Sequence, residues 1–220
     1  LAVNTLGVLN IVERGDSVQN IKDLAGKKVY ATGQGATPEY TLRHILKENG
    51  IDPDSGLTIQ WCADTTEALS YIANDSEAIA MLPQPFATAA MGQVDGLRVA
   101  IDLNDAWAEI EDCDIVTGVV VARTDFVKEH PQAVETFLSE YEASVAYTND
   151  NAADAAELIA GYGIVAKAPL AEKAIPKCHI TFLKGQEMKD SVSGYLQILF
   201  DENPQAVGGT LPADDFYYGL

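Results

Sequence analysis

The strongest constraint on this chain is a regular alternation running from residue 27 to residue 101. Short apolar runs of strand type are separated by segments of helical spacing, with Gly or Pro at the switches. Lys27-Lys28-Val29-Tyr30-Ala31-Thr32, Leu57-Thr58-Ile59-Gln60-Trp61, Ala78-Ile79-Ala80-Met81-Leu82 and Leu97-Arg98-Val99-Ala100-Ile101 read as strands. Ile21 to Gly26 reads as a helical turn closed by Gly. Thr37 reads as an N-cap with Pro38 at the first helical position, and Leu42, Ile45 and Leu46 follow at helical spacing until Asn49-Gly50. Residues 67–73 and 86–91 give two more helices. Strands alternating with helices of about ten residues imply βαβ units and a parallel sheet.

Beyond residue 112 the pattern changes. One apolar run, Ile115-Val-Thr-Gly-Val-Val-Val-Ala122, reads as a buried strand, and mainly helices follow. Residues 131–149 place Val134, Phe137, Leu138, Tyr141 and Val145 on one face behind Pro131. Residues 152–161 and 168–174 predict two shorter helices. Residues 186–200 predict a long one, with Met188, Val192, Tyr195, Leu196 and Leu199 in a stripe. Residues 1–4, 8–12 and 115–122 are expected to form strands of a different sheet from that of residues 23–110. The chain would then leave one lobe, build a second and return, and two crossings imply a hinged cleft. The expected division is 1–22 plus 111–220 for lobe one and 23–110 for lobe two.

Charge narrows the function classes. Lys and Arg total 14 against 33 Asp and Glu, a formal net charge of −19. A nonspecific nucleic-acid binder needs a basic face, so no nucleic-acid partner is expected. Docking on anionic lipid is disfavoured for the same reason. No apolar run reaches the roughly 18 residues of a membrane-spanning helix. The chain opens at Leu1 inside a strand pattern with no signal-peptide pattern, which reads as the loss of a preceding segment. Cys62, Cys113 and Cys178 are an odd, widely spaced set. They match neither a disulfide framework nor a zinc site.

Three segments are candidates for a ligand site. The first is Thr32-Gly33-Gln34-Gly35-Ala36-Thr37-Pro38-Glu39-Tyr40, between a strand and a helix start. Its glycines let backbone approach a ligand, and the helix start offers free N–H donors. It lacks the third Gly of a dinucleotide fingerprint and the Gly-Lys-Ser/Thr of a P-loop. Gln34 and Thr37 are neutral, and Glu39 would repel a hard anion if it faced the cleft. The segment suits a polar, neutral or amine-bearing heterocycle at least as well as an anion, and a plain strand–helix turn stays open. The second is Pro83-Gln84-Pro85-Phe86, again a strand end. In open α/β sheets ligands bind outside the carboxyl ends of strands. Gln84 could hydrogen-bond a ligand and Phe86 could pack on it; a rigid proline-fixed connection is the alternative. The third is Asn4-Thr5 with Thr117-Gly118, at the expected crossings, where small and hydroxyl residues could line the cleft floor; ordinary hinge-strand residues are the alternative. Catalytic patterns are weak. His44 and His130 read as surface or helix-start residues. Cys178 and His179 are neighbours whose side chains point apart in an extended segment. No metal-ligand or calcium-loop spacing occurs.

Ile21-Lys22-Asp23-Leu24-Ala25-Gly26-Lys27-Lys28-Val29 with the Gly33 to Tyr40 segment resembles the solute-binding proteins of ABC importers. The closest subgroups are the nitrate/sulfonate/taurine and thiamine-pyrimidine-precursor binding types. Leu82-Pro83-Gln84-Pro85-Phe86 resembles that group's Leu-Pro-Glu-Pro-Phe stretch, with Gln84 replacing the acid. Residues 174–178 and 214–218 also resemble it. The resemblance implies an α/β, type II periplasmic-binding-protein fold whose first lobe is incomplete, because members carry about 90–100 further residues ahead of the first crossing strand. It implies a monomeric, extracytoplasmic protein, periplasmic or lipoprotein-anchored, that binds a small polar or anionic organic solute and delivers it to a membrane permease. It implies no catalysis and no cofactor. The ligand contacts it implies are Asn4, Thr5, Gly33, Gln34, Gly35, Ala36, Thr37, Pro83, Gln84, Phe86, Thr117 and Gly118. The alternatives are a sensory ligand-binding domain and an enzyme on the same fold. A thiamine-pyrimidine synthase resembles these proteins, but its cysteine-rich iron-binding stretch has no counterpart here.

Overall fold

The computed structural model describes residues 1–220. The chain opens with β1 (Ala2–Thr5) and β2 (Leu9–Arg14). It then alternates β3 (Lys28–Ala31), α1 (Thr37–Glu48), β4 (Thr58–Trp61), α2 (Thr65–Asn74), β5 (Ile79–Pro83), α3 (Phe86–Met91), β6 (Leu97–Asp102) and α4 (Leu103–Ala108). There follow β7 (Gly118–Val120), α5 (Thr124–Glu129), α6 (Pro131–Asp150), α7 (Ala152–Gly161), α8 (Ala168–Ala174), β8 (Ile180–Leu183) and α9 (Gly185–Glu202). No helix is long and apolar enough to cross a membrane.

The strands form two sheets, one of five in the order β4-β3-β5-β2-β6 and one of three in the order β7-β1-β8. Strands β3, β4 and β5 are mutually parallel, and β2 runs antiparallel between β5 and β6. This corrects two expectations. Residues 8–12 do not share a sheet with residues 1–4, and the larger sheet is mixed rather than parallel. The reason is burial. Leu9 to Glu13 are all buried, so β2 needs partners on both edges and cover on both faces. Ile11 faces the core of α1 and α4, and Val12 faces the core of α2 and α3.

Placing β2 there also buries Glu13, which is 2% exposed. Its carboxylate accepts from the Val18 amide (3.0 Å) and the Ser17 hydroxyl (2.8 Å) and pairs with Arg98. Burial opposes the charge, but these three partners together hold Glu13 below the ordinary glutamate range.

Helix α1 starts at Thr37, with Ala36 rather than Thr37 as the cap and Pro38 in the first turn, where a missing N–H costs nothing. The run 115–122 contributes only three residues of strand. Ile115 is drawn into the core of the larger sheet, while Gly118 to Val120 pair with β1. Elements α4, α5 and β8 had no strong periodic signal, being four to six residues long.

Helix α9 ties the two sheets together. Met188 and Val192 pack on Val3 of β1. Tyr195 and Leu199, two turns on, enter the core beneath the larger sheet. Tyr195 is 2% exposed and shares a 2.7 Å hydrogen bond with Thr41 of α1. Its ring meets Trp107 of α4 edge-on, with centroids 5.5 Å apart. On the other face of the smaller sheet, Val134 and Leu138 of α6 cover Ala2.

Candidate functional site

Strands β3, β4, β5 and β6 all end on one edge of the larger sheet, and β2 begins there. The crossing from β1, residues 6–8, therefore arrives at the carboxyl edge, the place where open α/β sheets take ligands.

Beyond β3, Gly33 and Gly35 both have left-handed backbone, with φ of 85° and 74°. A Cβ on Gly33 would also lie 2.8 Å from the Pro38 ring. Gln34, Gly35 and Ala36 are exposed and Thr37 is half-buried. The loop amide of Gly35 donates to Glu39 Oε2 at 2.7 Å, and the other Glu39 oxygen lies 3.9 Å from Arg43. Glu39 thus turns back on the helix start and supplies an anion from within the chain. This removes one of the donors expected to await a ligand.

Beyond β5 the Gln84–Pro85 peptide is cis. Gln84 is 6% exposed, and its backbone N–H donates to Val8 O at 2.8 Å, tying the loop to the crossing. Its side-chain Oε1 accepts from Thr88 Oγ1 (2.7 Å) and the Thr88 amide (3.3 Å), capping α3. Its Nε2 has no partner. Phe86 packs on the core between α2, α3 and the sheet, so it is a core residue as much as a loop residue. Pro83 is half-buried and lies opposite Leu9.

Asp102, Asn104 and His179 belong to this edge although sequence reading had not placed them there. Asp102 caps α4 through the Asn104 amide at 2.9 Å. Burial raises its pKa, against the pull of the Asn104 amide and of His179. His179 has φ of 45°, its Nδ1 meets the Gly7 carbonyl, and its own carbonyl accepts from Leu6 N–H at 3.1 Å. The pairing spans 172 positions, so no local pattern could reveal it. His179 braces the crossing. The Cys178 thiol is raised by burial, as are Cys62 and Cys113, and all three are free. A protonated thiol is a poor nucleophile, which fits the weakness of the Cys178–His179 pair as a catalytic unit.

The third predicted cluster does assemble. Asn4 Nδ2 donates to Tyr141 OH (2.9 Å), Thr5 Oγ1 donates to Asn4 Oδ1 (3.2 Å), and the Thr117 amide donates to Thr5 O (2.9 Å). A Cβ at Gly118 would fall 2.2 Å from Asn4 Oδ1, so a side chain there would have to displace the Asn4 carboxamide from its place beside Tyr141. Thr117 and Thr37 both border one largely apolar cavity of about 680 Å³ along β7 and α9. The predicted residues thus fall into two groups, one at the carboxyl edge and one at the crossing, and Thr37 with Thr117 links them.

Comparison with known proteins bears on this arrangement. The NMT1/THI5-like family model matches residues 4–155, more than half the chain. The chain belongs to the NMT1/THI5-like family. Among solved structures it is similar to an ABC transporter from Parabacteroides distasonis, with 26% identity and a TM-score of 0.78 over 99% of this chain and 72% of that one. It is also similar to the periplasmic aliphatic sulphonate binding protein SsuA from Escherichia coli, with 18% identity and a TM-score of 0.73 over 93% and 68%. No curated protein matches. The expected α/β, type II periplasmic-binding-protein fold is therefore correct for this NMT1/THI5-like chain. The desulfurization enzyme DSZB shares the fold at 13% identity (TM-score 0.61, covering 92% of this chain and 71% of that one), so fold alone does not separate binding from catalysis.

Proposed function

We propose that this NMT1/THI5-like chain is the extracytoplasmic solute-binding component of an ABC importer. In this reading it takes a small polar organic solute at the carboxyl edge of the larger sheet and presents it to a membrane permease. The observation that carries this is the hydrogen bond from Gln84 N–H in the β5 loop to Val8 O in the inter-sheet crossing, on the sheet edge where β3 also ends. Lobe two is then residues 9–108, enlarged from 23–110 by β2, and lobe one is built around the three-stranded sheet. The ligand would lie between Gly33, Gln34, Gly35, Ala36, Thr37, Pro83, Gln84 and Phe86 on one side and Asn4, Thr5, Thr117 and Gly118 on the other. Flexing at residues 6–8 and 109–117 would close the cleft, and no bond is made or broken. The similarity to proteins described as periplasmic binding proteins supports the location and the permease partner.

Thermal shift against a panel comprising nitrate, ethanesulfonate, taurine, nicotinate, nicotinamide and 4-aminopyrimidine tests this. A true ligand raises stability by about 2.7 kcal/mol at a concentration of about 100 Kd, and mass spectrometry then recovers it unchanged. Chemical conversion of a bound solute would replace this reading with catalysis.

A further inference from the structure

We propose that Gln84 is the specificity-determining residue of this site, and that it selects solutes presenting an uncharged hydrogen-bond acceptor, a carbonyl oxygen or ring nitrogen, over free oxyanions. The inference rests on the solute-binding reading above.

Gln84 Nε2 is the one buried side-chain nitrogen or oxygen in the molecule without a hydrogen-bond partner. Such atoms are rare because burying a donor without a partner forfeits its hydrogen bonds to water. The orientation of the carboxamide is fixed. The Thr88 amide can only donate, so the end it meets must be the oxygen, and the Thr88 hydroxyl reinforces this at 2.7 Å. A flipped carboxamide would lose the Thr88 amide bond and still leave an unmet polar atom. Nε2 therefore stands as a donor in the loop that also holds the crossing through Val8 O. A glutamate here would present an acceptor instead and would call for an amine.

The charge around this donor decides which acceptors suit it. Residues 6–10, 32–37, 62–64, 84–88 and 102–104 form the carboxyl edge and contain no lysine or arginine. They contain Asp64 and Asp102, and Glu39 already fills the Gly35 amide at 2.7 Å. A full negative charge at this edge would meet carboxylates and no lysine or arginine, the one basic side chain there being His179, which is engaged with the Gly7 carbonyl, whereas a neutral acceptor satisfies Nε2 without that penalty. The apolar ring of Phe86 in the same loop fits the body of an organic solute.

Nicotinamide and nicotinate differ only in carbonyl amide against carboxylate, and titration calorimetry of both on the wild-type chain and on Gln84→Glu tests the proposal. The expected result is that the neutral panel members, nicotinamide or 4-aminopyrimidine, bind at least about tenfold more tightly than nicotinate, ethanesulfonate or nitrate. Gln84→Glu should then weaken nicotinamide by about tenfold or more while the thermal midpoint of the free protein shows it folded. If Gln84→Glu fails to fold, Gln84→Met, which keeps the volume and removes the donor, serves in its place with the same expected loss. Preference for the oxyanions, or an affinity for the neutral probe within about twofold of wild type in the variant, overturns this inference and leaves solute binding standing. Failure of every panel member to bind tells against solute binding itself, and the role of Gln84 falls with it.

Discussion

Single residues in this chain carry consequences out of proportion to their size. Glu13 is buried as an anion between β5 and β6, so its partners stabilise the folded state only while it is ionised. Its folded pKa lies below its unfolded value, so this stabilisation is complete above the unfolded pKa, about 4.3, and is lost as pH falls through the lower folded value. Glu13→Gln should lower stability by about 2 kcal/mol at neutral pH and flatten the acid limb of a thermal-midpoint profile below about pH 4. An unchanged acid limb would show that Glu13 is not the titrating group. Gly118 acts through space rather than charge. Gly118→Ala drives a methyl into Asn4 Oδ1 and should cost about 1–3 kcal/mol by thermal melt. Gly161→Ala, where nothing lies within 4 Å, should be neutral or slightly stabilising. Both glycines look alike in the sequence; only their surroundings separate them.

At the scale of elements, α9 is the brace between the sheets. Its amphipathic stripe was legible from Met188, Val192, Tyr195 and Leu199, but the stripe could not say that its two halves face different cores. That depends on length. Eighteen residues make a rod of about 27 Å, long enough to lie against both sheets. Tyr195→Phe should cost about 1 kcal/mol, because it leaves Thr41 without its partner. Tyr195→Ala should cost about 3–5 kcal/mol in denaturant unfolding, because it also opens a void beside Trp107. Element β2 makes the complementary point. Residues 8–12 read as a strand from pattern and β2 covers 9–14, yet its near-complete burial, not its hydrophobicity, selected the sheet it joined.

For the whole molecule, the charge of −19 is a distributed cost. Self-repulsion among solvent-exposed carboxylates is screened by salt, while the Glu13–Arg98 pair, whose carboxylate is buried, is screened less. Raising ionic strength from about 0.01 M to about 0.15 M, which shortens the Debye length from ~30 to ~8 Å, should raise the thermal midpoint. A fall would mean that favourable ion pairs such as Lys47–Glu202 and Lys184–Glu142 dominate the surface energy. The crossings set the other whole-molecule property. Leu6, Gly7 and His179 meet where the sheets join, and α9, with side chains in both cores, couples any bending there to the packing of Tyr195 and Leu199.

The sequence by itself determined the alternating α/β character, most element positions, the acidic balance and the family resemblance. Each of these is written in local periodicity, in turn residues or in composition. It also pointed to the carboxyl-edge loops, because strand ends followed by Gly or Pro are local signals. The tertiary structure alone decided that β2 runs antiparallel inside the larger sheet, that Glu39 fills the Gly35 amide, that His179 holds Gly7 and that Gln84 Nε2 is left without a partner. Two of these, the placement of β2 and the His179–Gly7 contact, depend on groups far apart in the chain, and the other two depend on which hydrogen bonds remain once both cores are packed. No local pattern carries that information.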